Sequence, residues 1–474
     1  MLLASFGFFL LIFLLIGFSS VLVGKKQSQD YLVAGRSVPP FLVGLSAVAT
    51  NNSGYMFIGV IGFTYATGLS AGWLMVGWIA GDYIASSFVH RRLREAAESN
   101  RALTFPELLS TWGGEEFAVL RRLIGAVSVL FLGVYAAAQF NAGSKAMHVV
   151  FGWDYHYGAI LGAVMVLFYC FSGGLRASIW TDAAQSVVMI SAMAALLWIS
   201  LDSVGGVASA WQALDQVSAT HMNWFPDSLA FPGVAGPLMF VIGWMFAGFG
   251  VIGQPHIMVR FMALDSVRNL SRARLYYYAW FIAFYFLANA VGLVSRLLIP
   301  EAGFDAELAL PTLALQLLSP AVAGLVLAGL FAATISTADS LILSCSAALS
   351  RDLPPARWQS FGLTRYSTLA VIVLALAIAL LGNASVFQLV IVAWAVLASA
   401  LGPLLVVYAL GGRPVQWVAV LMVCVGLATV YGWRAAGLSE SVYEVMPAML
   451  ASWLVYIMAV MWAALFSSSR GIRE

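Results

Sequence analysis

Charge is scarce in this chain. Only 9% of its 474 residues are Asp, Glu, Lys or Arg, against roughly a quarter in soluble domains, which excludes a water-soluble globule. Histidine and cysteine are nearly as rare. The five histidines form no spaced cluster for a metal, and Cys170, Cys345 and Cys424 stand singly inside apolar runs, so neither a zinc site nor a disulfide framework follows. Free cysteine behaves as a small hydrophobe, and all three are expected to be buried packing residues. Long polar stretches are missing too. No connection is large enough for an appended soluble domain, and no nucleophile–base pair lies within an apolar run, which argues against an enzyme. A net charge of +2 names no partner, and neither nucleic acid nor an obligate protein partner is expected.

What abounds is apolar sequence, 62% of the residues. A membrane-crossing helix needs about 20 of them in succession, and thirteen such spans can be placed, among them residues 40–65, 181–201, 234–258 and 321–349. The first apolar run, residues 2–23, is longer than a signal-peptide core and lacks a basic start, so it reads as a retained span. Basic residues alternate sharply between successive connections. Of the 23 lysines and arginines all but Lys145, Arg296 and Arg434 fall in one set of loops and termini, with Lys26, Arg260, Arg470 and Arg473 among them. The basic side is the cytoplasmic one, so the expectation is a multi-pass protein of the lipid bilayer, in the inner (plasma) membrane, with its N-terminus outside and its C-terminus in the cytoplasm.

Two polar clusters interrupt the apolar sequence: Thr50-Asn51-Asn52-Ser53-Gly54 in the second span and Thr334-Ile335-Ser336-Thr337-Ala338-Asp339-Ser340 in the ninth. Hydrocarbon satisfies no such groups, so they are candidates for the working part of a membrane protein. Asparagine and glycine favour unwinding at the first, which would free carbonyls for a hard cation; an interhelical polar contact is the plainer alternative. Ser336, Thr337 and Ser340 share much of one helical face, and hydroxyls there suit a hard cation's preference for oxygen. They could equally bond back to their own helix. A third break, Ala247 to Pro255, holds three glycines and a proline; paired interruptions in two halves point to a transporter's midplane site, a simple proline kink being the alternative. The carboxylates at membrane depth are Asp82, Asp182 and Asp339. Asp182 could cap a helix, Asp82 reads as structurally paired, and His256 as a hydrogen-bonded structural residue.

Several stretches together carry a family resemblance: Tyr31-Leu32-Val33-Ala34-Gly35-Arg36-Ser37, Leu45-Ser46-Ala47 through Gly54, Trp180-Thr181-Asp182, Gly253-Gln254-Pro255-His256-Ile257 with Arg260-Phe261-Met262, and Ser336 to Ser340. In this order the chain resembles the sodium/solute symporter family, and within it the sodium/proline symporters. The resemblance implies an all-α polytopic membrane protein of LeuT-type fold. Two inverted five-helix repeats would occupy residues 40–202 and 234–411, with an external loop at 203–233. One extra helix and a cytoplasmic loop would precede them at 1–39, and two extra helices would follow at 412–474. It also implies Na+ as the coupling ion, held by carbonyls of Ala49, Asn52 and Ala333 and the hydroxyls of Ser336 and Thr337. Asp182, Asp339 and Ser340 would serve a second cation or the coupling route. Asn51, Ser53, Gly54, Tyr55, Tyr135, Gln139, Phe249, Gln254 and Pro255 match the surroundings of the pocket for a small-molecule solute.

Two departures bear on function. Proline symporters carry an aspartate where this chain has Asn51, and aromatic residues where it has Ala247 and Val251, so the pocket is expected to be roomier or differently shaped. The leading expectation is Na+-coupled symport of a small polar organic solute, an amino acid, betaine-like compound or carboxylate, by alternating access. A proton-coupled symporter of the same fold and a membrane solute sensor are the alternatives, the short C-terminal segment arguing against the sensor.

Overall fold

The computed structural model describes residues 1–25, 27–229, 231–301, 303–382, 385–440 and 442–468. Lys26, Arg470 and Arg473 of the basic set lie outside the described residues. The described chain is helical, with one isolated backbone pairing, Val38 with Leu264, and no named strand among the described residues. The helices are α1 (Leu2–Val21), α2 (Pro40–Gly54), α3 (Ile61–Thr67), α4 (Gly72–Ser99), α5 (Ala118–Phe151), α6 (Tyr155–Phe171) and α7 (Gly173–Ser203). After a loop bearing a short helix, Val207–Leu214, come α8 (Ala235–Phe249), α9 (Pro255–Met262), α10 (Leu270–Leu298), α11 (Pro320–Ala347) and α12 (Phe361–Leu381). The chain closes with α13 (Val386–Ala409), α14 (Gln416–Ala435) and α15 (Val445–Ser468). Proline opens α2 and α11, where its missing N–H costs nothing. Ser360 and Ser385 cap α12 and α13 by accepting backbone N–H bonds.

Eleven helical stretches among the described residues are long and apolar enough to cross a membrane. One of them, Pro40–Ser99, is a hairpin: Asn51 and Asp82 meet on the same tyrosine, and the rings of Tyr55 and Trp78 lie 6.0 Å apart, so the two arms run antiparallel. The chain also reverses at Gly174, since Tyr169 and Thr181 both pack on Gly17, and α6 becomes a crossing arm of its own. That gives thirteen helical arms among the described residues, the number expected, with α6 a shorter apolar helix than the eleven stretches above. Span edges moved where buried charges entered them: the sixth arm begins at Gly173, not near 181, which puts Asp182 two turns inside a helix and removes the capping role.

Burial sorts the arms into layers. The most apolar windows of α11 and α13 are 83% and 94% buried, whereas those of α1 and α15 are 17% buried, which leaves the outer pair to face lipid. Cys170 and Cys345 are buried as expected, but Cys424 is exposed on α14, an outer position where an apolar thiol faces hydrocarbon at little cost.

Basic residues mark one end of the bundle. Arg36 reaches the Ala102 carbonyl, Arg94 the Leu264 carbonyl at 2.8 Å, Arg121 pairs with Asp352 at 2.9 Å, and Arg176 pairs with Asp30. The far end carries the Lys145–Glu307 and Arg434–Glu444 pairs. Ser5 beside Ala321 and Tyr456 beside Gly412 place the start of α1 and the end of α15 at opposite ends. Arg260, read from the sequence as a loop charge, is instead fully buried in α9.

Candidate cation and solute site

The first polar cluster breaks its helix at a single residue. Thr50 to Asn52 remain in α2, while Ser53 turns to φ 36°, ψ −179°, and the chain continues through a wide-turned segment, Tyr55–Val60. A non-glycine residue so placed costs on the order of 1–3 kcal/mol and persists only where its surroundings hold it. Here they do. Gly54 N–H donates to Gln139 Oε1 at 2.9 Å, and Tyr55 N–H donates to Ser53 Oγ at 3.1 Å. The Thr50 carbonyl, whose usual helical donor would be that Gly54 N–H, accepts the Thr337 hydroxyl at 3.0 Å. A Cβ on Gly54 would stand 2.6 Å from Thr334 Cγ2, so glycine permits α11 to lie this close.

The two polar clusters, 287 residues apart in the chain at Thr50 and Thr337, therefore form one site. Ala49, Asn52, Ala333, Ser336 and Thr337 are all within 1% of full burial around it. Ser336 donates to the Ala333 carbonyl at 3.1 Å and Ser340 to the Ser336 carbonyl at 2.6 Å, the back-bonding weighed from the sequence. Thr337 departs from that pattern. Asn52 Nδ2 donates to the Val48 carbonyl, which leaves its buried Oδ1 without a partner.

Next to this lies a buried charged network. Arg260 donates to Ser46 Oγ at 2.8 Å, to Ser178 Oγ and Asp182 Oδ2 at 2.9 Å each, and to Ser340 Oγ. Asp182 Oδ2 also accepts from Ser46 at 2.6 Å and Thr50 at 3.4 Å, while Asp339 Oδ1 accepts from Ser178 at 2.9 Å and lies 2.7 Å from Ser340 Oγ, whose single proton serves either it or the Ser336 carbonyl. Arg260 thus pairs directly with Asp182, while Asp339 is joined to the guanidinium only through the Ser178 and Ser340 hydroxyls, all of them fully or nearly fully buried, and Asp182 Oδ1 and Asp339 Oδ2 have no hydrogen-bond partner. Such a set, with one excess negative charge when both are ionised, favours uptake of a cation. Sequence reasoning missed Arg260, Ser46 and Ser178 as parts of it. One local signal existed: Ser178 and Asp182 stand four apart and so share a helical face.

The residues expected around a solute are only partly together. Tyr135 OH donates to Ser53 Oγ at 3.3 Å and Gln139 holds Gly54, so Ser53, Gly54, Tyr135 and Gln139 line one side of the break. Tyr55 stacks on Phe387 at 5.3 Å. His256 meets the Tyr135 ring edge-on at 5.7 Å, and neither of its nitrogens has a hydrogen-bond partner, contrary to the structural role expected for it. Gln254 donates to the Trp394 carbonyl at 3.1 Å and leaves its Oε1 free. Pro255 begins α9 and lines a small cleft with Tyr31 and Pro106 at the basic end. Phe249 is not with the others: it packs on Phe88, Phe246 and Trp453, because the turn after α8 directs it outward. The roomier wall expected at Ala247 is filled by the Trp394 indole, which donates to the Ala247 carbonyl at 2.9 Å and packs on Trp78.

Toward the end opposite the basic loops lies a cavity of about 600 Å³, lined by Phe63, Trp244, Phe387 and Tyr443 with Arg434 and Glu444 at its wall. Stacked rings close its floor: Phe63 on Phe387 at 5.5 Å and Phe387 on Tyr55. The cavity and the site are thereby separated by one aromatic layer.

Known proteins resemble this chain in sequence and in fold. The chain is 31% identical over 465 residues to the high-affinity proline transporter PutP of Bacillus subtilis (strain 168), covering 95% of this chain and 96% of that one. A sodium/proline symporter of Staphylococcus aureus (strain JH9) is 32% identical over 472 residues, 94% of this chain and 90% of that one. Among solved structures, a substrate-bound, outward-open Na+-coupled sialic acid symporter superposes with a TM-score of 0.76 at 18% identity, over 95% of this chain and 96% of that one. Mhp1, a nucleobase-cation-symport-1 family transporter in a closed conformation, superposes with a TM-score of 0.60 at 16% identity, over 92% and 95%. These likenesses establish the LeuT-type fold. The profile of the sodium:solute symporter family matches residues 31–413, and with that coverage the chain belongs to this family of membrane transporters.

Proposed function

We propose that this sodium:solute symporter binds its coupling ion where α11 meets the break in α2, with the carbonyls of Ala49, Asn52 and Ala333 and the hydroxyls of Ser336 and Thr337 as ligands. The observation that carries the reading is the Thr337 hydroxyl on the freed Thr50 carbonyl, which brings hydroxyl and carbonyl oxygens to one buried point at membrane depth. Oxygen ligands of this kind suit Na+, a hard cation. Ser53, Gly54, Tyr55, Tyr135, Gln139 and Gln254 are the residues offered to a small polar solute, an amino acid first, since the relatives above are named as proline transporters. The repeats run over residues 40–202 and 234–411, and the basic end of the bundle faces the cytoplasm, which puts the N-terminus and the aromatic-floored cavity outside.

Inward movement of each charge across 100 mV supplies about 2.3 kcal/mol, roughly a fortyfold solute gradient at about 1.4 kcal/mol per factor of ten. The test is a thermal-stability screen of the purified protein against a solute panel led by L-proline, run in sodium chloride and again in choline chloride. Stabilisation by one solute only in sodium supports the reading; equal shifts in both salts remove Na+ coupling. A second reading, proton coupling, is favoured by two buried carboxylates, Asp182 and Asp339, beside a single guanidinium that pairs directly with Asp182 alone. Uptake into liposomes driven by a pH gradient without sodium decides for it.

A further inference from the structure

At the basic end of the bundle lies another cavity, of about 590 Å³, and four arginines line it: Arg36, Arg94, Arg101 and Arg351. Three carboxylates share its wall, yet each is engaged. Glu98 pairs with Arg94 at 2.9 Å, Glu107 accepts the Leu103 N–H at 2.9 Å and lies 3.6 Å from Arg121, and Asp265 accepts from the Ser266 N–H and from Asn269 Nδ2. The other three arginines are left over. Among the described residues no carboxylate lies within ion-pair distance of Arg36, Arg101 or Arg351. Arg36 gives Nη2 to the Ala102 carbonyl while its buried Nε has no partner, and Arg351 Nε is likewise buried without one. Unmet donors are costly to bury, more so on a charged group. The backbone is strained at the same place. Among the described residues only Ala34, Arg36, Arg101 and Ser53 combine a side chain with positive φ, and the first three, at 47°, 54° and 54°, belong to the two turns that border this cavity. Such conformations gather where a side chain is held for function.

We infer that this cavity is a binding site for a phosphate group, carried by an anionic lipid headgroup or by a free phosphate, and that its occupancy holds this end of the bundle closed. Guanidinium forks match phosphate oxygens two at a time, and three of them without counter-charge suit an anion with several oxygens better than a single carboxylate. Basic pockets between membrane helices on the cytoplasmic side take lipid headgroups in this way. The walls come from four connections. Arg36 lies between α1 and α2, Arg101 follows α4, Asp265 lies between α9 and α10, and Arg351 follows α11. Here too the ends of α2 and α9 are tied: Val38 N–H donates to the Ala263 carbonyl at 3.2 Å and Asp265 N–H to the Val38 carbonyl at 2.9 Å, while Arg94, 1% exposed, donates to the Leu264 carbonyl. An anion bridging Arg36, Arg101 and Arg351 adds α4 and α11 to that tie, and α2 and α11 are the helices that carry the proposed ion site. That this end faces the cytoplasm rests on the orientation proposed above.

The experiment follows thermal stability of the purified full-length protein in two arms. One titrates potassium phosphate against potassium chloride at matched ionic strength in detergent; the other compares nanodiscs of phosphatidylcholine alone with nanodiscs that also contain phosphatidylglycerol. Wild type is expected to be stabilised in at least one arm, and the arm names the source of the phosphate. The double variant Arg101→Gln, Arg351→Gln removes two guanidiniums that hold no carboxylate. It is expected to raise the half-stabilising phosphate concentration at least about tenfold, about 1.4 kcal/mol, or to abolish the difference between the two nanodiscs. Arg268→Gln, an exposed arginine of the same end outside the cavity, should respond as wild type does. A wild type indifferent in both arms, a double variant that responds like wild type, or an equal loss in Arg268→Gln overturns the site. Amide hydrogen exchange reads the closure: the stabilising arm should slow exchange over residues 34–39 and 263–265 in wild type and not in the double variant. Unchanged exchange there overturns the closing role. Detergent and nanodiscs expose both faces, and no readout uses the solute, so a failure of the orientation or of the symporter reading leaves these results intact and shows only in its own assay.

Discussion

Removal of one hydroxyl from the proposed ion cage tests the reading most directly. Thr337 is fully buried and its Oγ1 lies 3.0 Å from the Thr50 carbonyl, so Thr337→Ala deletes a hydroxyl that donates to a backbone carbonyl across the two polar clusters and leaves the Thr50–Ser340 hydroxyl contact in place. A bond to a charged group is worth about 1.5–3 kcal/mol, which at about 1.4 kcal/mol per factor of ten raises half-saturating sodium roughly ten- to a hundredfold. The substitution also costs packing and an interhelical bond, on the order of 1–2 kcal/mol at any sodium concentration. The two effects separate in the assay. Uptake into proteoliposomes, measured against external sodium under a fixed potential, should show the rightward shift, with the maximal rate recovered at high sodium. Thermal stability in choline reads the packing loss alone. Thr337→Ser keeps the oxygen and should lie near wild type in sodium dependence. An unchanged sodium curve for Thr337→Ala, with the protein folded, refutes the site.

Arg260→Met leaves Asp182 buried without its guanidinium and is expected to cost about 3–5 kcal/mol; adding Asp182→Asn should recover part of it, as read from thermal unfolding in lipid–detergent micelles. A Cβ on Gly248 would lie 1.9 Å from the Trp78 carbonyl where α4 and α8 cross, so Gly248→Ala is expected to abolish or severely reduce folded protein on size-exclusion chromatography, while Gly72→Ala, with open space around it, should not. Glu307, held by Lys145, Ser385 Oγ and the Phe387 N–H, has its carboxyl below the usual 4.5: burial opposes ionisation, and those bonds outweigh it. A depressed carboxylate contributes stability that is present above pH 4.5 and lost as pH falls through the lower folded value. Lys145→Met should therefore shift acid unfolding to higher pH, as followed by tryptophan fluorescence.

Much of the architecture was legible before any coordinates. Thirteen arms, the basic end and the two polar clusters follow from hydropathy and charge, which are local properties. The site was legible only in outline. Thr337 and Gly54 stood out as candidates because hydroxyls and a glycine in apolar sequence are conspicuous, whereas Arg260 was misread as a loop charge because the carboxylate that pairs with it, Asp182, sits 78 residues away. Phe249 was misplaced for a related reason: a motif fixes a position in the chain, and the turn after α8 decides which way the ring points. Trp394 closes the wall at Ala247 from 147 residues away, and nothing near Ala247 in the chain announces it.

The amino-acid sequence by itself determined that this is a multi-pass membrane protein and that oxygen-rich breaks lie inside its apolar stretches, since scarcity of charge and the length of apolar runs are enough for each. Only the tertiary structure decided which atoms those breaks offer. The Thr50 carbonyl is released from its own helix because Gln139 takes the Gly54 N–H, and it takes the Thr337 hydroxyl instead; Asn51 donates to Tyr277, which in turn donates to Asp82. Hydrogen-bond direction is settled between partners 85, 195 and 226 residues apart, and no local pattern in the chain carries that information.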